Sequence, residues 1–279
     1  MKYKTKLLVD RFASVISEWP GIECVSLNEA ALPDTLDPYF ALIMDIYYIG
    51  EIPSPEERQK FYGDDLAAFE TTEKSNKTQG YKDRFLVGDI PIRLEYKPVK
   101  MVEDLLDIAD KKLESLWLIK DSGTYGFYRL AHGEIIFSRN KWIDGIRKRL
   151  SSLSKDFWRI MRDAHESKME HFLADLGAAA MHEDDFFYHI SAAGFIKNAC
   201  LTLFCINRRF EPSHKAYYKQ VLELKELPDS FHGYFENFLK PDPGLTMERK
   251  FSLAQKIAKE IISLGIVSLG AVAPRTASS

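Results

Sequence analysis

Apolar residues recur at every third or fourth position in Leu7, Leu8, Phe12, Val15, Ile16 and Trp19, which predicts a helix over residues 3–19 that Pro20-Gly21 stops. The period then shortens. Ile22-Glu23-Cys24-Val25-Ser26-Leu27 predicts a short strand, and Phe40 to Tyr48 is a longer apolar run of strand length. Between them lies a turn-rich loop with Pro33-Asp34 and Asp37-Pro38. Ser54-Pro55-Glu56-Glu57 reads as a helix start, with Ser54 as cap and Pro55 in the first turn. Residues 71–80 are polar and predict a loop. Arg84 to Val87 and Ile90 to Lys97 predict a hairpin turning at Gly88-Asp89, followed by a helix over 102–113. Tyr125 to Leu130 and Glu134 to Phe137 predict a second hairpin, turning at Ala131-His132-Gly133.

From about Lys141 the helical period takes over. Helices are expected over 139–152, 154–180, 183–208, 213–225, 229–239 and 245–268, punctuated by Pro212, Pro228, Pro241 and Pro243. Strands mixed with helices, then helices alone, predict an α+β domain over 1–138 joined to an all-helical bundle over 139–271. Residues 272–279 are expected to form a disordered tail.

Composition adds bounds. Hydrophobic content of 46% in 279 residues is ample for cores, and a net charge of −3 demands neither a nucleic-acid nor an anionic-membrane partner. Cys24, Cys200 and Cys205 lack metal or redox spacing and read as reduced, buried thiols of a cytoplasmic protein. No signal-peptide hydrophobic region is expected at the N-terminus, and the apolar stretch from Ile261 to Ala273 is too short to span a membrane. Trp19, Trp117, Trp142 and Trp158 are expected in the core. His182 and His189 share a helical face, but without a third ligand at zinc spacing no zinc site is expected.

The candidate chemistry lies in two strands, each with one acid inside an apolar run: Asp45 in the first and Glu95 in the second. A buried carboxylate is costly unless paired, hydrogen-bonded or bound to a cation. Alternation puts Ile43, Asp45 and Tyr47 on one face, and Arg93, Glu95 and Lys97 on one face of the other strand. Glu95 beside two bases suits a polyanion held through a metal, with Arg93 and Lys97 on phosphate oxygens. The competing reading is a structural ion pair, for example Asp45 with Arg93.

Asp37-Pro38-Tyr39, Asp45-Ile46-Tyr47, Arg93-Leu94-Glu95-Tyr96 and the stretch Asn207-Arg208-Arg209-Phe210-Glu211-Pro212-Ser213-His214-Lys215, with a Pro-Glu-Glu-Arg helix between the acidic strands, resemble the nucleotidyltransferase superfamily. The resemblance is to a bacterial branch with a helical C-terminal domain, similar in layout to the aminoglycoside nucleotidyltransferases. It implies a nucleotidyltransferase-like mixed sheet and Mg²⁺ held by Asp45, Glu95 and a loop acid, Asp37 or Glu29. It implies transfer of a nucleoside monophosphate from a nucleoside triphosphate to a small-molecule or protein acceptor. Arg93, Lys97, Arg208 and Lys215 would bind the triphosphate, while Arg209 and Lys219 read as solvated cations at a helix end. Two departures mark the motif as degenerate. Ser26-Leu27-Asn28-Glu29 stands where active members have a Gly-Ser pair, and Asp45 has no second acid two residues away. A catalytically degenerate fold serving as a ligand- or protein-binding module is therefore the alternative reading.

Overall fold

The computed structural model describes residues 3–28, 42–73, 80–241, 244 and 246–269. The chain divides into two compact units, Met1–Leu153 and Ser154–Ser279. Residues 272–279, expected as a tail, lie outside the described residues, as does Asp37.

Unit 1 is α+β. Helix α1 (Tyr3–Ser17) leads into β1 (Ile22–Leu27) and β2 (Leu42–Tyr48). Gly21 makes the link possible, because a Cβ there would sit 2.3 Å from the Ile49 carbonyl oxygen. Helix α2 (Pro55–Tyr62) starts as its sequence predicts. Ser54 Oγ accepts from the Glu57 amide at 3.3 Å, and the Glu57 carboxylate accepts from the Ser54 amide at 2.8 Å. Strands β3 (Leu66–Glu73), β4 (Tyr81–Val87) and β5 (Ile90–Pro98) follow. The β4–β5 hairpin turns at Gly88, whose φ of +56° suits glycine. Then come α3 (Val99–Lys111), a 3₁₀ turn, α4 (Trp117–Ser122), α5 (Tyr125–His132), β6 (Glu134–Ser138) and α6 (Trp142–Ser151).

Three sequence expectations are corrected here. Residues 71–73 belong to strand β3, paired to β4 at the sheet edge, rather than to a loop. Tyr125 to His132 is a helix, so only Glu134–Ser138 of the second expected hairpin is strand. Trp117, expected in the core, is 60% exposed.

The six strands form one sheet in the order β3-β4-β5-β2-β1-β6. Only β2 and β5 pair in parallel; the other described pairs are antiparallel. The all-buried residues of β1 and β2 explain their central place, since a strand covered on both faces must be apolar throughout or have its polar groups satisfied. Val9, Phe12 and Ile16 of α1 pack with Val25, Leu27, Met44, Ile46, Leu94 and Tyr96 on one face. On that face the bases and acids of α2 and β4 also meet. Arg58 donates to both oxygens of Asp83, each at 2.8 Å, and to Thr71 Oγ1 at 2.9 Å and the Pro53 carbonyl at 2.8 Å. Arg58 and Asp83 are 1% and 0% exposed. The arginine of the Pro-Glu-Glu-Arg helix is thus a structural cation held by four hydrogen bonds.

Unit 2 is helical throughout its described residues. Helices α7 (Lys155–Met181) and α8 (Asp185–Ile206) form a hairpin through a three-residue link. Where one helix over 213–225 was expected, a 3₁₀ turn at His214–Ala216 precedes the short helix α9 (Tyr217–Leu222). Helices α10 (Phe231–Leu239) and α11 (Met247–Leu269) complete the unit. Helix α8 is long and apolar enough to cross a membrane, but Phe195, Leu203 and Phe204 belong to a core shared with Leu176, Phe231, Phe235 and Ile257.

Candidate functional site

The register of β2 against β5 builds the site. Ile43 pairs with Arg93, Asp45 with Glu95, and Tyr47 with Lys97, so the two acids stand side by side on one face. Across the sheet, Ser26 of β1 partners Asp45, and Lys82 of β4 partners Glu95. Adjacent strands lie about 4.8 Å apart, so two buried carboxylates at matched positions repel unless a cation lies between them. Asp45 is 0% and Glu95 5% exposed.

Arg129, from α5, is that cation. Its Nη2 contacts Asp45 Oδ1, and its Nη1 donates to Glu95 Oε2 at 3.1 Å. With the Asn28 amide turned so that its oxygen faces Arg129, that oxygen accepts from Nη2 at 2.6 Å and from Nε at 3.0 Å. The guanidinium also lies 5.6 Å from the centre of the Tyr125 ring. Lys97 adds a second cation, with Nζ 2.8 Å from Asp45 Oδ1 and 3.6 Å from Glu95 Oε2. Arg93 Nε lies 3.1 Å from Glu95 Oε1, as an ion pair without hydrogen-bond alignment. Tyr47 donates to Asp45 Oδ2 at 3.3 Å.

The protonation states follow from burial and neighbours. Burial opposes the charge of Arg129, but Asp45 and Glu95 outweigh it and hold its pKa above the usual arginine value. Burial pulls the Lys97 ammonium below the usual lysine range, against the attraction of Asp45. Burial, then the Asp45 carboxylate, pushes the Tyr47 phenol well up.

Three cations therefore face two carboxylates. The expected Asp45–Arg93 pair is not formed: Arg93 meets Glu95, and Asp45 meets Arg129 and Lys97. No group of three or more His, Cys, Asp or Glu side chains capable of holding a metal occurs among the described residues. Mg²⁺ prefers octahedral oxygen ligands and repels neighbouring ammonium and guanidinium groups. Among the described residues both acids are held by protein cations, a donor set that does not fit that ion; the expected loop acids Asp37 and Glu29 lie outside the described residues.

The remaining candidates lie in unit 2. Arg208 and Lys215 are exposed, and Arg208 has a φ of +52° just beyond the end of α8. Asn207, expected to mark a binding motif, ties α8 to a later turn. Its side chain donates to the Leu203 and Glu226 carbonyls and accepts from the Glu226 amide, at 2.9, 2.9 and 2.8 Å.

No protein-family model and no curated protein sequence matches the chain. Among solved structures, the chain is similar to a nucleotidyltransferase-like protein from Exiguobacterium sibiricum 255-15, at 10% identity and a TM-score of 0.49, over 95% of this chain and 78% of that one. It is also similar to JHP933 from Helicobacter pylori, at 10% identity and a TM-score of 0.25, over 93% of each chain.

Arg129 and Asn28 were not among the residues singled out from the sequence. Arg129 was hidden by the expected hairpin at 125–137. The signal was present in Thr124, Phe127 and Leu130, which are buried at a helical spacing of three.

Proposed function

We propose that the chain is a non-catalytic, nucleotidyltransferase-like binding module that takes a nucleoside triphosphate without a divalent metal. One observation carries the reading: Arg129 engages both Asp45 and Glu95, in the place where a metal ion would have to sit. An acid pair neutralised in this way holds no hard cation, and the surplus charge on its face is positive. Arg93 is half-buried at the edge of the cluster, and Arg84, its cross-strand partner, is exposed. Two guanidinium groups at neighbouring strand positions suit the oxygens of a phosphate chain. The reading draws on unit 1 alone and gives Arg208 and Lys215 no part. The Mg²⁺-dependent transferase is the competing reading. It needs Arg129 and Lys97 to leave the carboxylates, at the cost of two uncompensated buried charges.

The test is isothermal titration of the full chain with ATP, GTP, CTP and UTP, in EDTA and in Mg²⁺. The expected result is saturable binding of at least one triphosphate in EDTA, unimproved by Mg²⁺ and lost in Arg93→Ala. Binding that appears only with Mg²⁺, or nucleotidyl transfer to any acceptor, would refute the module and support the enzyme.

A further inference from the structure

A cavity of about 740 Å³ opens in unit 1 at the carboxyl ends of β2 and β5, where Tyr48 and Pro98 end the parallel pair and α3 begins. In open sheets with parallel strands, ligands bind outside the carboxyl ends of those strands. The volume falls within the range of small-molecule sites, roughly 300–1,000 Å³.

The sequence of α3 accounts for the wall. The helix carries two apolar rows. Val99, Val102, Leu106 and Ala109 are buried. Met101, Leu105 and Ile108, spaced four and three apart, are only half-buried and line the cavity. These three residues widen the apolar stripe beyond the part the core covers. Trp142 also lines the cavity and is fixed by two contacts. Its ring centre is 5.2 Å from that of Tyr47, and its Nε1 donates to Glu103 Oε1 at 3.1 Å.

Charge decides what enters. The ionic side chains at the mouth are Lys100, Glu103 and Asp104. Lys100 is closely paired with Asp104. The Glu103 carboxylate, oriented by the indole, has acceptor capacity beyond that one bond. Beside an aromatic wall, it favours a cation over an anion.

We propose that this cavity binds a small molecule with an apolar or aromatic body and a single protonated amine, the body against the apolar lining and the amine on Glu103. The site is separate from the Asp45–Glu95 cluster and needs no nucleotide.

Three fluorescent probes with one aromatic body test it on the full chain: dansylcadaverine with a free amine, dansylamide without one, and dansylglycine with a carboxylate. Dansylcadaverine is expected to bind saturably, with energy transfer from tryptophan that Trp142→Phe diminishes, and about tenfold or more tighter than dansylglycine. Glu103→Gln should bring dansylcadaverine to the affinity of dansylamide. Leu105→Trp should fill the cavity and abolish binding of all three, at an unchanged circular dichroism spectrum. If that variant misfolds, Met101→Trp takes its place. Equal binding of the three probes, preference for the carboxylate, no binding of the amine, or binding that survives the filled cavity would each overturn the proposal.

Discussion

Replacing Arg129 by Met tests the centre of the sheet directly. Methionine keeps much of the length and apolar bulk of the side chain and removes its charge. Four interactions go with it: the ion pairs to Asp45 and Glu95, the bonds to Asn28, and the stack on Tyr125. Arg129, Asp45 and Glu95 are each 6% exposed or less, so water does little to replace these interactions. Removing one partner from a buried ionic cluster costs about 3–5 kcal/mol. Here Lys97 stays 2.8 Å from Asp45, which places the expected loss near the lower end, about 3 kcal/mol. In urea, with a slope of about 2–3 kcal/mol/M, the midpoint of unit 1 should fall by about 1–1.5 M. The second arm is the cycle with Glu95→Gln. Once Arg129 is gone, neutralising Glu95 removes a repulsion rather than an attraction. The double variant should therefore be more stable than the two single losses predict, by about 1–3 kcal/mol. If Arg129→Met unfolds within about 0.5 kcal/mol of the parent chain, the guanidinium is not holding the carboxylates and the non-metal reading of the site fails.

Asp83→Asn should cost about 3–5 kcal/mol in thermal or urea unfolding, because it leaves the buried Arg58 charge without its partner. A loss below about 1 kcal/mol would show that water reaches that pair. His165, at 5% exposure, is held down to about 4 by burial, partly opposed by Asn198 and Glu211. The folded pKa is below the unfolded one, so between pH 6.5 and about 4 the unfolded chain binds the extra proton and stability falls as pH falls, by about 3 kcal/mol in full. His165→Gln should flatten this dependence relative to the parent chain, and two parallel pH profiles would contradict the assignment. Lys97, also pulled down by burial, works in the same sense at high pH. Its contribution to stability should rise from its depressed folded value towards the ordinary 10.5, and Lys97→Met should remove that rise from the urea midpoints.

The two acidic strands were legible because a single acid in an apolar run is a strong local signal, and period-two alternation then fixed which neighbours share its face. Their pairing joins segments separated by a helix and a hairpin, and its parallel direction was not legible in the alternation. What escaped was the counter-charge. Tyr125-Gly126-Phe127-Tyr128 is rich in strand-forming aromatics and is followed by His132-Gly133, so local propensity favoured a hairpin. Packing decided otherwise: as a helix the segment buries Thr124, Phe127 and Leu130 at a spacing of three, and Arg129 reaches Asp45 and Glu95. Strand β3 was missed for the opposite reason. Glu70, Thr71, Thr72 and Glu73 at a sheet edge need no apolar alternation, so they read as a loop. Asn207 shows how a polar side chain at a helix end can serve the fold, tying α8 to a later turn.

The two charged centres lie on opposite sides of the sheet. Asp83 and Tyr96 point with Arg58 into the α1–α2 layer, while their strand neighbours Lys82, Glu95 and Lys97 point the other way. One face anchors the hairpin β3–β4 to helix α2 and keeps the edge of the sheet in register. The other carries the Asp45–Glu95–Arg129 cluster, so a substitution there leaves the Arg58–Asp83 anchor in place. The register of the sheet edge and the charge of the opposite face are thus set by separate residues.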